Sequence, residues 1–250
     1  ELENGNYKSD EYTEFLEKIQ EFSVKLSEEL YKDNKSDKNF TISPISIYMA
    51  LAMTAEAASD SSREEILNAL GITYDEMINF TKNLYTDSNN EFLQSGLFDN
   101  KVVQGFEDLN NSIWVDESIK LNENSLDSLA NNFYVSTYKV PFISSPREAS
   151  KVLREYIKES TRGLIDKEYN LSSETIFAIV NTYYLKDIWN EYGKDLNFTD
   201  HLYDFLSYDN SISSTRLLQG YYFSSKPYVT ETYRYATTKT ENGFKLKFIV

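Results

Sequence analysis

The sequence contains no cysteine and a single histidine, and these two scarcities remove whole classes of chemistry. Without thiols there is no disulfide framework, and cysteine usage says nothing about redox compartment. A zinc centre built from ordinary ligands is close to excluded. A serine-hydrolase dyad would have to use His201, in Asn-Phe-Thr-Asp-His-Leu-Tyr-Asp, and no Gly-x-Ser-x-Gly elbow accompanies it. A solvated loop or strand-edge role is expected for His201 instead. The eight glycines are dispersed and no Gly-Lys-Ser/Thr occurs, so a phosphate-cradling loop is not expected. The 40 Asp and Glu residues form no recognisable catalytic pair. No apolar run reaches the roughly 18 residues that a membrane-spanning helix needs. The first ten residues also lack the charged-then-apolar pattern of a signal peptide. Positive charge is short as well: 25 Lys and Arg stand against 40 acids, for a formal charge of −15 and a pI near 4.6. Nucleic acid and anionic membrane would be repelled by such a chain, so neither is an expected partner. Lys and Arg read as scattered, without a basic stripe, and no cofactor is expected.

Against these absences, 40% of the 250 residues are hydrophobic and 15% aromatic, including 20 Tyr and 15 Phe. That is enough apolar surface for one sizeable core, and it argues against intrinsic disorder. Residues 10–31 form an amphipathic pattern, with Phe15, Ile19, Phe22, Leu26 and Leu30 recurring at three- and four-residue spacing. Ser43 and Pro44 then open a helix that is apolar nearly all round, which marks an interior helix. Ser62 to Glu65 reads as a capping box and Gly71 as the stop of the next helix. Helical spacing returns over 74–84 and 124–133. Ser145-Pro146 opens a further helix, with Val152, Leu153, Tyr156 and Ile157 as its expected buried stripe and Gly163 at its end.

Strands are expected at 112–115 and 135–142. Ile176 to Val180, the most apolar run, suits a central strand covered on both faces. From about residue 198 the chain is strand-like and tyrosine-rich, closing on an Asn242-Gly243 hairpin. Helices first and strands after is an α+β order rather than a doubly wound alternation. No repeat or linker marks a boundary, so residues 1–250 read as one domain. Its last strand breaks off at Val250 with no turn after it, as in a cut chain.

Three segments carry a family resemblance. Asn39-Phe-x-x-Ser43-Pro44-x-Ser46 leads into Ala50-Leu-Ala-Met53. The continuation Ala57-Ala58-x-x-x-Ser62 runs on to Leu70-Gly71, with Ala57 and Ser62 standing where the family has Gly and Thr. Tyr156-Ile157-x-x-x-Thr161-x-Gly163-x-Ile165 has Tyr156 for the usual Trp, Leu164 for Lys and Arg154 for Asn. Val180-Asn181-x-Tyr183-Tyr184-Leu185-Lys186-Asp187-x-Trp189 is the third, and Asn111-Ser-Ile-Trp-Val115 and Leu217-Leu218 fit beside it. In this order and spacing they resemble the serpins, protease inhibitors held in a metastable fold.

The resemblance implies the serpin fold, with the region of helices A–F and parts of sheets A, B and C, and with the C-terminal part of the fold outside this chain. It places Asn39, Ser43, Pro44, Ser46 and Asn181 in the shutter beneath the main sheet. Trp189 falls at the breach where insertion begins, and Tyr156, Thr161 and Gly163 at the end of helix F. The reactive centre is not among these residues. The implied partner is a serine protease, or in some cases a cysteine protease, trapped after it cleaves a bait loop that inserts into the sheet as a new strand. The remaining C-terminal serpin segment is needed to complete the fold, so the 250 residues are not expected to inhibit alone. A non-inhibitory serpin acting as carrier, chaperone or structural protein is the alternative. The stretch 74–84 corresponds to the heparin-binding helix of some members and carries two acids and one Lys, so heparin is not an expected partner. An extracellular or surface-attached setting, in a bacterium, fits the acidic, cysteine-free composition.

Overall fold

The computed structural model describes residues 9–33, 40–95, 101–189, 197–207, 210–219 and 228–249. The chain divides into two compact units. Glu1–Lys35, Phe40–Asn90 and Glu107–Tyr184 make the first, and Ser36–Asn39, Glu91–Phe106 and Leu185–Val250 the second.

The first unit opens with α1 (Asp10–Asp33), which turns Tyr12, Phe15 and Ile19 into the core. The interior helix α2 (Pro44–Ala57) buries Tyr48, Met49, Ala52, Met53 and Ala55, as a helix apolar on every side must. Next, α3 (Asp60–Leu70) ends on Gly71, whose φ of 73° is the left-handed conformation glycine adopts freely. The helix starts before Ser62, with Ser59 as N-cap, so Ser62 to Glu65 is not its capping box. The box occurs instead at α4 (Tyr74–Asp87), where Thr73 and Glu76 bond reciprocally.

The strands β1 (Asn90–Ser95), β2 (Lys101–Asp116), β3 (Ser136–Val140) and β4 (Phe177–Lys186) form one sheet around the long β2. The predicted strand at 112–115 is thus only the end of a 16-residue element. The connection from β2 to β3 runs through α5 (Glu123–Phe133), and the two strands pair in parallel from Ser112↔Ser136 to Asp116↔Val140. Bonds linking Asp116 to Ile176, Ser112 to Val180 and Glu107 to Tyr183 run in opposite chain directions, so β4 lies antiparallel to β2.

Alternation along the strands divides the core in two. Ile113, Val115, Ile179 and Tyr183 face the cluster built on α1 to α5. Trp114, Ala178 and Val180 face a second cluster under α6 (Pro146–Ser160), with Ala149, Leu153 and Ile157. Val152, expected in that buried stripe, is 45% exposed because it points along the flank of the helix.

Besides β1 from Glu91 on, β2 up to Phe106 and the end of β4, the second unit holds the short strands β5 (Asn197–Phe198), β6 (Tyr203–Leu206), β7 (Ile212–Thr215), β8 (Leu218–Gln219), β9 (Tyr228–Val229), β10 (Arg234–Lys239) and β11 (Lys245–Ile249). β10 and β11 pair antiparallel from Lys239↔Lys245 to Tyr235↔Ile249. Thr240 to Phe244 make the connection, with Gly243 at φ 93°.

Candidate functional site

Among the described residues β4 has β2 as its only strand neighbour, which leaves its other edge free. Along that edge runs a cavity of about 600 Å³. Ser43, Ser46, Ile47 and Leu51 line it from the α2 side, Leu153, Ile157 and Thr161 from the α6 side, and residues 179–183 form the strand between them.

Ser43 is the N-cap of α2 and Pro44 occupies the first turn. The Ser43 side chain makes no cap bond; its Oγ lies 2.9 Å from Ser46 Oγ instead. Both hydroxyls therefore face the cavity with lone pairs to spare. Across it, Asn181 donates from Nδ2 to Asn111 Oδ1 at 2.6 Å, and Asn111 donates in turn to the Phe133 carbonyl at 2.7 Å. Asn181 Oδ1 and Thr182 Oγ1 are buried without a hydrogen-bond partner among the described residues. A buried polar atom without a partner is costly, so these two atoms mark the edge as under-satisfied among the described residues.

On the opposite face, the Trp114 indole N–H donates to Ser112 Oγ at 2.9 Å, and Ser112 Oγ donates to the Val180 carbonyl. Trp114 stacks on Tyr138 at 4.4 Å and meets Tyr156 edge-on at 5.2 Å. Burial holds the Tyr156 phenol above its ordinary pKa. At the end of α6, Thr161 is the C-cap, and its Oγ1 donates to the Ile157 carbonyl and accepts from the Ile165 amide. The left-handed position belongs to Arg162, at φ 49°, and Gly163 follows at φ 85°. The Gly163 amide bonds Lys158 and the Arg162 amide bonds Glu159, the two closures of a Schellman turn. Arg162 is fixed there by Asp108 at 2.8 Å and by the ring of Tyr184. Beside the edge, Tyr183 Oη donates to Glu107, and burial pushes both groups above their ordinary pKa values.

Ser43, Ser46, Thr161 and Asn181 thus meet at one cavity, whereas Pro44, Tyr156 and Gly163 are not among its lining residues. Asn39 lies outside the described residues. Trp189 belongs to the second unit, where it is half-buried and bridges Thr240, and Asp187 there accepts from Asn242 Nδ2 at 2.6 Å. Asn111 and Ser112 were named in the sequence only as part of a strand segment, without a site role, and Thr182 was not named. Adjacent strand positions that put one polar group on each face were the available signal. The expectation of no basic stripe also needs correcting. Arg147, Lys151, Arg154 and Lys158 recur at helical spacing on one side of α6, a period hidden by the acids interleaved between them.

A family model described as Serpin (serine protease inhibitor) matches residues 17–216. The rat protein named alpha-1-antiproteinase is 28% identical over 198 residues, covering 75% of this chain and 45% of that protein. The chain therefore spans about half the length of the curated relatives it matches. Among solved structures, cleaved kallistatin complexed with heparin superposes with a TM-score of 0.78 at 16% identity, covering 96% of this chain and 68% of that one. Reactive-loop-cleaved human thyroxine-binding globulin gives 0.76 at 17%, covering 96% and 69%. At these identities the structural matches establish the fold.

Proposed function

The chain belongs to the serpin family, and on that premise we propose that the whole protein inhibits a serine protease by suicide cleavage. The protease nucleophile attacks a bait loop and forms an ester with it, and the cleaved loop then enters the sheet beside β4 before water can release the enzyme. Cysteine proteases are the second target class, through a thioester. The inhibitor acts as a trap and not as a catalyst. The two units are read as parts of a single serpin domain, acting outside the cell or at its surface.

One observation carries this reading: the free edge of β4 fronts a slot between α2 and α6 that contains the unpartnered Asn181 Oδ1 and Thr182 Oγ1. A strand added there gains backbone hydrogen bonds along β4 and brings donors to both acceptors. The hydroxyls of Ser43 and Ser46 can exchange partners as the strand enters, which keeps the edge satisfied before and after. Trp189 and Thr240 are proposed as the point where insertion starts.

A non-inhibitory carrier role is the second reading, favoured by the likeness to thyroxine-binding globulin. Mixing the full-length protein with trypsin-, elastase- and subtilisin-like proteases separates the two. Suicide inhibition gives a denaturation-resistant complex, and loop cleavage raises the thermal midpoint. Absence of both, with a small ligand retained through purification, would replace the inhibitor by the carrier.

A further inference from the structure

We propose that a second cavity, of about 590 Å³ beside the N-terminal half of α6, is a binding pocket for a small organic molecule bearing a phosphate or sulfate ester. Arg147, Ser150, Lys151 and Arg154 line one wall, and Glu168 to Leu171 the other. The volume falls within the range of ordinary ligand sites, about 300–1,000 Å³.

Charge singles out this cavity. The protein carries −15 overall, yet one face of α6 presents four cations at successive turns. Two of them are neutralised within the protein. Arg154 Nε lies 2.5 Å from Asp166, and Lys158 Nζ lies 3.1 Å from the same carboxylate, with Glu168 3.6 Å from Arg154. These partners hold the Asp166 carboxyl below its ordinary pKa. Arg147 and Lys151 have no carboxylate partner among the described residues, and both are exposed at the cavity. A surface rich in acids that leaves two adjacent cations unpaired favours an external anion there. The first turn of α6 adds the positive end of the helix dipole.

The opposite wall suits a carbon skeleton. Tyr169 and Leu171 pack against the core cluster under α6, so they form a fixed apolar surface about one side chain deep. The ligand would place its phosphate or sulfate in the fork of Arg147 with Lys151 as a point charge, and its sugar-like body against Tyr169. A long polyanion fits poorly. The free cations number two, the Arg154–Asp166–Glu168 cluster closes the far end, and chain beyond it would meet a net negative surface. The pocket shares Tyr169 with the cavity at the β4 edge, whereas Arg147 and Lys151 line the pocket alone, so the test replaces those two.

Calorimetric titration of the full-length protein with pyrophosphate, a hexose 6-phosphate, a hexose 6-sulfate and a short heparin oligosaccharide tests the proposal. A sugar phosphate or sulfate is expected to bind, with affinity falling as salt rises. The double variant Arg147→Gln/Lys151→Gln should weaken that binding at least tenfold, whereas Lys120→Gln, an exposed lysine elsewhere, should not. The stronger of the two esters identifies the source of the anion. Both variants replace only exposed residues, and unchanged circular dichroism confirms that they fold. Equal binding by the double variant overturns the proposal. So does binding of heparin alone, or of none of the small probes.

Discussion

Asn181 and Asn111 are 70 residues apart, and their side-chain amides join β4 to β2 through a 2.6 Å hydrogen bond. Asn111 is 2% exposed, so its Oδ1 has no water to fall back on. Asn181 spends its donor on that bond and keeps a buried acceptor without a partner among the described residues.

Asn181→Ala should cost about 1–3 kcal/mol, because Asn111 Oδ1 is left buried and unpaired. For a protein of this size that lowers the thermal midpoint by about 2–4 °C per kcal/mol. Asn181→Asp keeps the shape but removes the donor and adds a charge, and should be at least as destabilising. Denaturant midpoints of the three proteins check the order. An alanine variant as stable as the parent would mean that the amide pair contributes nothing.

Gly105→Ala should be more harmful than Gly163→Ala. A Cβ on Gly105 would overlap the backbone carbonyl of Lys186 and meet the Phe92 ring at 3.0 Å, and backbone cannot swing aside. Overpacking of this kind costs about 1–3 kcal/mol or more. A Cβ on Gly163 meets nothing within 4 Å, so only its φ of 85° opposes alanine, at about 1–2 kcal/mol. Urea unfolding of both variants measures the difference.

Glu107→Gln should gain stability relative to the parent as pH rises. Burial raises the Glu107 carboxyl, partly offset by hydrogen bonds from Tyr183 and Asn90, with repulsion from Asp87 adding to it. Below the ordinary Glu value folded and unfolded chains both hold the proton. Between that value and the raised one only the folded chain holds it, so stability falls as pH rises through the window and stays lower above it. The glutamine variant lacks this loss and should gain relative to the parent at neutral pH. Asp87, also raised by burial, adds a slope of the same sign to both proteins and Asp166, held low by its cations, adds the opposite one, so the difference between the two curves isolates Glu107. Unfolding midpoints from about pH 4 to pH 8 give both slopes, and parallel curves would refute the assignment.

Trp114→Ala should destabilise by about 3–5 kcal/mol. It empties the space between Tyr138 and Tyr156 under α6 and leaves Ser112 Oγ without its indole donor. Trp114→Phe keeps most of the packing and should recover most of the loss, which separates volume from the hydrogen bond. Denaturant unfolding followed by circular dichroism provides the comparison.

Local rules acting within a few residues made most elements legible in the sequence. The apolar spacing of α1, the all-round apolarity of α2, the Pro at the first turns of α2 and α6 and the glycine after α3 each follow from backbone sterics and capping. The order of three motifs from Asn39 to Trp189 carried the family, and with it Ser43, Ser46, Thr161 and Asn181. Helix starts were less legible, because several Ser and Thr residues near each boundary offer equivalent caps and packing chooses among them. So Ser59 rather than Ser62 begins α3, and Thr73 with Glu76 forms the box.

What the sequence determined by itself was most of the helices, the family and the four polar residues Ser43, Ser46, Thr161 and Asn181 that line one cavity. The tertiary structure decided which polar groups share a partner, and which do not. Asn111 meets Asn181 only because β2 and β4 pair antiparallel, and Arg154 and Lys158 are neutralised only because the chain after Gly163 turns back along α6 to deliver Asp166. Both outcomes depend on contacts between residues remote in the chain or reversed by a turn. Their free energy comes from burial and geometry that no local spacing encodes.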